Sequence, residues 1–180
     1  GTMCKWIDCT HPLSADTAAW PSDEPMERVL VASIDRGDVV NTSEIRMSAH
    51  YGTHIDAPRH LVNDGLTVDR ISPEILCGPC RVVRMALGRN ISAEDIEALP
   101  EELPERLLIA TDCPETLSQG EFPKEFFSLE PQAAEVLVRR GVRLVGFDSP
   151  SADPMEASGL PAHRVLLGAG VVIVESIRLA

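Results

Sequence analysis

Three of the five histidines in the sequence fall within residues 50–60, and an aspartate lies between the second and the third. These four residues are His50, His54, Asp56 and His60. Imidazole nitrogens and carboxylate oxygens together form the usual ligand set of zinc and manganese sites. A lone histidine is more often a hydrogen-bonded structural residue, but this clustering favours metal binding. The stretch is therefore predicted to hold a divalent metal ion.

The backbone of this stretch is predicted to be extended or turning, because glycine, proline and β-branched residues are unfavourable in a helix. On a straight strand His50 and His54 would share one face but lie ~13 Å apart, at ~3.3 Å per residue. Two imidazoles at that separation cannot share one ion. We therefore expect a bend between them, and Gly52 is the residue whose backbone permits it.

Two further candidate ligands lie more than a hundred residues later in the chain: His163, and Glu175 inside the apolar segment 171–177. A buried, ionised carboxylate is costly unless it is paired or binds a cation, whereas a strand with one solvated face would leave it in water. Both alternatives stay open from the strand alone. Together with the four residues of the stretch 50–60, the candidates number six, which exceeds the three or four ligands of one zinc ion. Six candidates fit two ions, with one histidine left for acid–base chemistry.

The elements that must position these residues follow from hydrophobic periodicity and turn residues. Strands are expected at 6–10, 27–34, 41–49, 81–87, 106–111, 142–147 and 171–177, a helical turn at 72–73, and helices at 92–100, 129–140 and 161–167. The strands 27–34 and 41–49 form an antiparallel pair that leads into His50. The helix at 129–140 has Ser128 as its cap and ends at Gly141, within a crossover between two buried strands.

Composition sets broad limits on function. With 180 residues, 44% hydrophobic and 24% charged, we expect one domain at 4–180, preceded by an expression remnant and initiator methionine at 1–3. The net charge of −12 argues against nucleic-acid binding, and no apolar run reaches the ~20 residues of a membrane span. The five cysteines and the lack of a signal-peptide pattern favour reduced thiols in the cytoplasm. We expect Cys77 and Cys80 to be incidental members of a turn.

Residues 50–60 resemble the HxGTHxDxPxH motif of the cyclase-like metal-dependent hydrolases. This family includes bacterial kynurenine formamidases, isatin hydrolases and proteins labelled polyketide cyclases. Supporting similarities are Trp20-Pro21, the segment 146–151, and the segment from 161 to Glu175. The chain departs from the pattern at Ser22, where glycine is usual. It also ends five residues after Glu175, where relatives generally continue; such an ending would leave one wall of the site and one sheet edge unfinished.

The resemblance implies a site with two divalent ions, zinc in first place and manganese as the alternative. His50, His54 and Asp56 would bind one ion, and Asp56 would bridge to a second ion held by His163. Glu175 would bind there as well, in a bridging position.

The same resemblance implies that His60 is the general acid/base and that Trp20 contacts the substrate. The implied fold is α/β, a single domain of the swivelling β/β/α type with a mixed, β-rich core flanked by helices, assembled as a dimer or tetramer. The implied activity is hydrolysis of a small-molecule amide, with N-formylkynurenine as the first candidate and a cyclic amide such as isatin as the alternative. A catalytically idle, metal-stabilised binding subunit is the alternative from another class.

Overall fold

The first two strands form a ribbon that is separate from the main sheet. The computed structural model describes residues 6–179. In it, β1 (Glu27–Ala32) pairs antiparallel with β2 (Thr42–Arg46), and Glu27 lies opposite Arg46. The turn between them contains a 3₁₀ segment at Ile34–Arg36 and a left-handed Gly37. This confirms the predicted antiparallel pair that precedes the histidine stretch.

The main sheet has five strands in the spatial order β3-β7-β6-β5-β4. Neighbouring strands are parallel except β3, which runs antiparallel to β7 at one edge. The sheet is therefore mixed, as the predicted fold class requires. Its members are β3 (His54–Asp56), β4 (Arg81–Arg84), β5 (Arg106–Ala110), β6 (Leu144–Phe147) and β7 (Val172–Glu175).

The helices are short. α1 (Pro73–Leu76), α2 (Ala93–Glu97), α3 (Pro131–Arg139) and α4 (Pro161–Gly168) occur in the connections between strands. Ser92 and Asp95 form a capping box that begins α2, because each side chain accepts the other's backbone N–H. α3 connects two parallel strands, β5 and β6, so the expected crossover is present.

The sheet is covered on both faces, and the alternation of side chains along each strand shows how. Leu107, Ile109, Val145 and Ile173 face the large cluster that includes the apolar sides of α2, α3 and α4. The next residues along the same strands face a second, smaller cluster at Ile71, Leu144 and Val172. The buried strands β5 and β6 therefore carry apolar residues on both faces, as their continuous apolar sequence predicted.

Two local predictions are wrong. Residues 6–10 form no strand, and most of them are exposed, because no neighbouring strand pairs with this segment within the described part of the chain. Ser128 does not cap α3: the helix begins at Pro131, and the Ser128 hydroxyl donates instead to the carbonyl of Ser151 at 2.7 Å. Gly141, which follows α3, has the left-handed conformation expected at a helix end.

No helix within residues 6–179 is both long and apolar enough to cross a membrane. The longest helix, α3, has nine residues, whereas a span needs about 20.

Candidate metal centre

The edge pairing of the sheet brings three candidate ligands to one face. In the β3–β7 register His54 lies opposite Glu175 and Asp56 lies opposite Ile173. Because side chains alternate along a strand, His54, Asp56 and Glu175 all project to the helix-covered side of the sheet. His54 Nε2 lies 3.2 Å from Glu175 Oε2 and 3.4 Å from Asp56 Oδ1. Glu175 is buried, which decides between the two alternatives left open for it.

A bend before β3 adds His50 to this group. Gly52 has φ of 63°, a left-handed conformation that favours glycine. The bend brings the His50 and His54 ring centres to within 4.9 Å, and His50 Nδ1 lies 2.8 Å from Asp56 Oδ1. The expected bend at Gly52 is therefore confirmed. The carbonyl of Gly52 also lies 2.9 Å from His54 Nδ1, so the ring presents Nε2 to the carboxylates.

The first turn of α4 supplies the ligand from the other end of the chain. His163 Nε2 lies 3.0 Å from Glu175 Oε1 and 3.3 Å from Asp56 Oδ2. Its other nitrogen, Nδ1, lies 2.7 Å from the carboxylate of Asp153. Asp153 also accepts the backbone N–H groups of Ala162 and His163, so it caps α4 and orients the ring with one carboxylate.

His60 and Trp20 line the cavity above these residues. The cavity has a volume of about 310 Å³, and its wall is completed by Ser22, Pro150, Ser151 and Leu160 among others. The His60 ring centre is 4.2 Å from that of His50 and 6.2 Å from that of His163. The Trp20 ring meets Phe122 edge-on at 5.1 Å. The structure thus brings all seven sequence-predicted site residues to one place.

Two buried carboxylates, Asp56 and Glu175, determine the protonation states of the histidines in this cluster. Burial disfavours a charged His54, yet Asp56 and Glu175 outweigh it and raise the pKa of His54 to about 10. Burial likewise opposes the charged form of His163, but Asp153, Asp56 and Glu175 raise its pKa to about 11. Burial raises the pKa of both acidic partners, but the histidines outweigh it and lower the pKa of Asp56 and of Glu175.

His60 differs from these buried histidines. It lies at the rim of the cavity, and partial desolvation of its ring lowers its pKa below the usual histidine value. A neutral imidazole at pH 7 can accept a proton, whereas His54 and His163 in the metal-free protein would already hold one.

The donor set fits a divalent metal ion. Both carboxylate oxygens of Asp56 and Nε2 of His54 are buried, and none of these atoms has a neighbour in hydrogen-bonding geometry, although histidine nitrogens lie 2.8–3.4 Å from the Asp56 oxygens. This arrangement is costly, and a cation between these atoms would relieve it. Two groups of potential ligands have donor atoms within 4.8 Å of one another, and Asp56 belongs to both. The first group is His50, Asp56 and His60; the second is His54, Asp56 and Glu175. His60 therefore lies within ligand distance, although the family resemblance implies acid–base chemistry for it.

Three contributors to the site were not predicted. The sequence indicates only a turn at Asp153, and the contact of Asp153 with His163 depends on a loop whose path the sequence does not reveal. The Tyr51 hydroxyl is buried and donates to Ser14 O at 2.9 Å, so it ties the loop that carries Trp20 to the histidine stretch. The Ala152 backbone N–H donates to Glu175 Oε1 at 2.7 Å. Among these three contributors, the sequence offers a signal only for Asp153, which lies ten residues before the candidate ligand His163.

Fold and site together define a metal-dependent hydrolase class, and sequence comparison supports this assignment. The family described as "Putative cyclase" matches residues 7–154. The chain therefore belongs to the cyclase family.

Similar proteins in this family include kynurenine formamidases. The chain is 36% identical over 178 residues to the kynurenine formamidase of Bacillus cereus, covering 97% of this chain and 83% of that protein. The Bacillus anthracis kynurenine formamidase gives the same values.

Solved structures agree with the fold. A potential metal-dependent hydrolase with cyclase activity is similar with a TM-score of 0.80 and 29% identity, over 96% of this chain and 81% of that one. Isatin hydrolase A from Labrenzia aggregata is similar with a TM-score of 0.79 and 25% identity, over 95% of this chain and 79% of that one.

Proposed function

We propose that this protein is a metal-dependent amidohydrolase that converts N-formylkynurenine and water to kynurenine and formate. The chain is a metal-dependent amide hydrolase of the cyclase family, and the choice of substrate rests on its similarity to kynurenine formamidases. The observation that carries the proposal is the buried Asp56 carboxylate, whose oxygens lie 2.8–3.4 Å from nitrogens of three histidines, without hydrogen-bonding geometry, below an open cavity.

The proposed ligands are His50, His54, Asp56, His163 and Glu175, arranged around two divalent ions with zinc as the first candidate and manganese as the second. Asp56 is the shared ligand in this assignment, because its two oxygens face different histidines. When bound, such ions supply Lewis acidity toward the carbonyl oxygen and make water a nucleophile at neutral pH.

His60 is the proposed general base and acid. Its lowered pKa leaves an imidazole nitrogen free to accept a proton from the attacking water. The same nitrogen then returns the proton to the departing aniline nitrogen as the C–N bond breaks. The position of His60 at the cavity rim, beside His50, suits this transfer.

Trp20 is the proposed contact for the substrate's aromatic ring. The edge of Phe122 supports the indole, and a second aromatic contact joins Phe122 to Phe126 at 6.4 Å. These three aromatic rings support the wall of the cavity that Trp20 forms. An aromatic amide can therefore stack on Trp20 while its formyl group reaches the candidate metal ligands.

The proposal includes a homo-oligomer in the cytoplasm. The cysteines of the described chain, Cys9, Cys77, Cys80 and Cys113, are all free thiols, which agrees with a reducing compartment. Burial raises the pKa of the Cys113 thiol to about 12, so this thiol is unreactive at neutral pH.

The test is a hydrolysis assay with N-formylkynurenine and isatin side by side, with and without added zinc or manganese. We expect metal-dependent turnover of N-formylkynurenine. His60→Ala should lower kcat by roughly 10²–10⁴-fold while the metal content per chain is unchanged. Arg59→Ala, at an exposed neighbouring position, serves as the control and should retain activity.

The alternatives give different results in the same assay. Turnover of isatin alone would assign the cyclic amide, which similarity to isatin hydrolase A supports. Bound metal without turnover of either compound would favour a binding subunit. Loss of metal from His60→Ala would make His60 a ligand, as its distance from His50 and Asp56 permits.

A further inference from the structure

One acidic residue in the wall of the cavity above the candidate metal centre has no part in the chemistry described so far. Apart from the candidate ligands and His60, Asp23 is the only ionisable side chain among the described residues that line this cavity. Asp23 is half-buried. Within the described part of the chain its carboxylate forms no ion pair, and it accepts one long hydrogen bond, from the Ser22 hydroxyl at 3.4 Å. The carboxylate is therefore available to a molecule in the cavity.

A turn fixes Asp23 close to Trp20. The backbone N–H of Asp23 donates to the carbonyl of Trp20 at 2.8 Å, which closes a turn of four residues. The Trp20 ring is supported in turn by its edge-on contact with Phe122. Trp20 and Asp23 thus belong to one small loop and line the same cavity. A compound whose aromatic ring contacts Trp20 has its other substituents within reach of the Asp23 carboxylate.

Asp23 also lies between this cavity and a neighbouring cleft. The cleft has a volume of about 930 Å³, and Ser22 and Asp23 line both spaces. Its remaining charged lining residues have both signs: Glu24, Glu27, Arg28 and Arg46. A group held at Asp23 can therefore extend into the cleft, which suits a zwitterion, while a reacting amide stays beside the candidate ligands.

The chemistry of this carboxylate selects a cationic partner. An ammonium group donates hydrogen bonds to a carboxylate, and such charge-assisted bonds are stronger than those between neutral groups. N-formylkynurenine has an α-ammonium group at the end of the substituent that lies beside its formamide on the ring. Isatin has no charge, and the product of its ring opening is an anion that a carboxylate repels. Asp23 therefore favours the first of these two compounds.

We propose that Asp23 is a specificity-determining residue that binds the α-ammonium group of N-formylkynurenine. The site then selects aryl formamides that carry a cationic amino-acid group. This inference deepens the proposed function and rests on it.

The test measures KM and kcat for N-formylkynurenine and for ortho-formamidoacetophenone, an uncharged analogue with a methyl group in place of the amino-acid end. Asp23→Asn keeps the size of the side chain and removes its charge. It should raise KM for N-formylkynurenine by roughly 10-fold, the effect of one hydrogen bond between charged groups at a half-buried site. We expect kcat to stay within about twofold, because the contact is made equally in the ground and transition states. KM for the analogue should not change.

Glu24→Gln is the matched control, since Glu24 lines the cleft but not the cavity and the variant removes the same charge. Its KM should not change for either compound. The proposal is overturned by an unchanged KM for N-formylkynurenine in Asp23→Asn, by an equal rise for both compounds, or by a similar rise in Glu24→Gln. An equal rise for both compounds would mean that the substitution disturbs the turn at Trp20.

Calorimetric titration with kynurenine, which retains the ammonium group, separates this inference from the proposed function. Asp23→Asn should weaken kynurenine binding by roughly 10-fold and leave binding of ortho-aminoacetophenone unchanged. If the unaltered chain hydrolyses neither formamide but binds kynurenine in an Asp23-dependent manner, the proposed function fails and the ammonium contact stands. Hydrolysis of N-formylkynurenine with no effect of Asp23→Asn on KM or on kynurenine binding overturns the contact alone. Absence of both hydrolysis and kynurenine binding overturns both.

Discussion

Asp153 shows at the scale of one residue how a site depends on groups that never touch the metal. Its carboxylate fixes the His163 ring through Nδ1 and holds the first turn of α4 through two backbone N–H groups. Nδ1–H donation leaves Nε2 unprotonated and directed at Asp56 and Glu175 when an ion is bound. Such partners typically change metal affinity by 10–100-fold.

Asp153→Asn is therefore expected to weaken metal affinity by about 10–100-fold, since the amide can present N–H instead of a carboxylate oxygen to Nδ1. Titration with a competing chelator measures this. Asp148→Asn is the control: Asp148 accepts the Thr111 and Cys113 N–H groups but contacts no candidate ligand. The control should lose stability and keep its affinity. Equal affinity loss in both variants would contradict the assigned role of Asp153.

Metal binding is expected to release protons from two histidines, His54 and His163. The pKa values of about 10 for His54 and about 11 for His163 mean that the metal-free protein holds both protons at pH 7. A ligating imidazole must be neutral, so binding expels them. Calorimetry in buffers of different ionisation enthalpy should show release of about two protons near pH 7, with apparent affinity rising as pH rises. No dependence on the buffer would contradict this ionisation.

The stability of the metal-free protein should follow the same ionisation. Because the folded-state pKa of these histidines lies above the unfolded value near 6.5, their contribution is fully present below pH 6.5. It is lost as pH rises toward 10–11. For Asp56 and Glu175, whose pKa values are lowered, the contribution is present above the unfolded pKa near 4 and is lost on acidification.

At the scale of elements, the bend at Gly52 connects two segments that position different candidate ligands. β3 fixes His54 and Asp56 by pairing with β7, while the preceding turn returns His50 toward the same carboxylate. An alanine at φ of 63° costs roughly 1–2 kcal/mol, although space for its Cβ exists.

Gly52→Ala should therefore lose about 1–2 kcal/mol of stability and also weaken metal binding, as the strained turn relaxes and moves His50. Gly88→Ala is a close match, with φ of 67° and open space around it, but it lies outside the site. Thermal unfolding should show a similar loss in both, and only Gly52→Ala should lower metal affinity. Equal affinity in the two variants would mean that His50 does not depend on the bend.

Much of the fold and of the site could be predicted from local sequence. The buried strands β5, β6 and β7 and the helices α2, α3 and α4 follow from periodicity and turn residues, and the histidine spacing required a bend. The burial of Glu175 could not be predicted, because it depends on pairing with β3 across more than a hundred residues. The segment 6–10 has the composition of a strand but no partner, which local sequence does not reveal. The role of Asp153 depends on the path of a turn, where no periodic pattern exists.

At the scale of the whole molecule, metal and fold should stabilise each other. A ligand present at 100 times its dissociation constant stabilises the folded state by about 2.7 kcal/mol. In a chain of this size that corresponds to a rise in Tm of roughly 5–10 °C. Calorimetry with and without a chelator should show this difference, and it should disappear in Asp56→Asn. An unchanged Tm after metal removal would contradict the proposed ligand set.

The register of His54 against Glu175 has a further consequence for the chain as a polymer. These residues close a loop of about 120 residues, yet β3 meets β7 over three residue pairs only. An ion held from both sides of that pairing would act as a reversible cross-link, comparable in effect to a disulfide that closes a long loop and contributes up to several kcal/mol. Binding of the metal would stabilise this edge of the sheet, and its removal would destabilise it. Resistance to proteases at residues 50–60 would therefore report occupancy of the site directly.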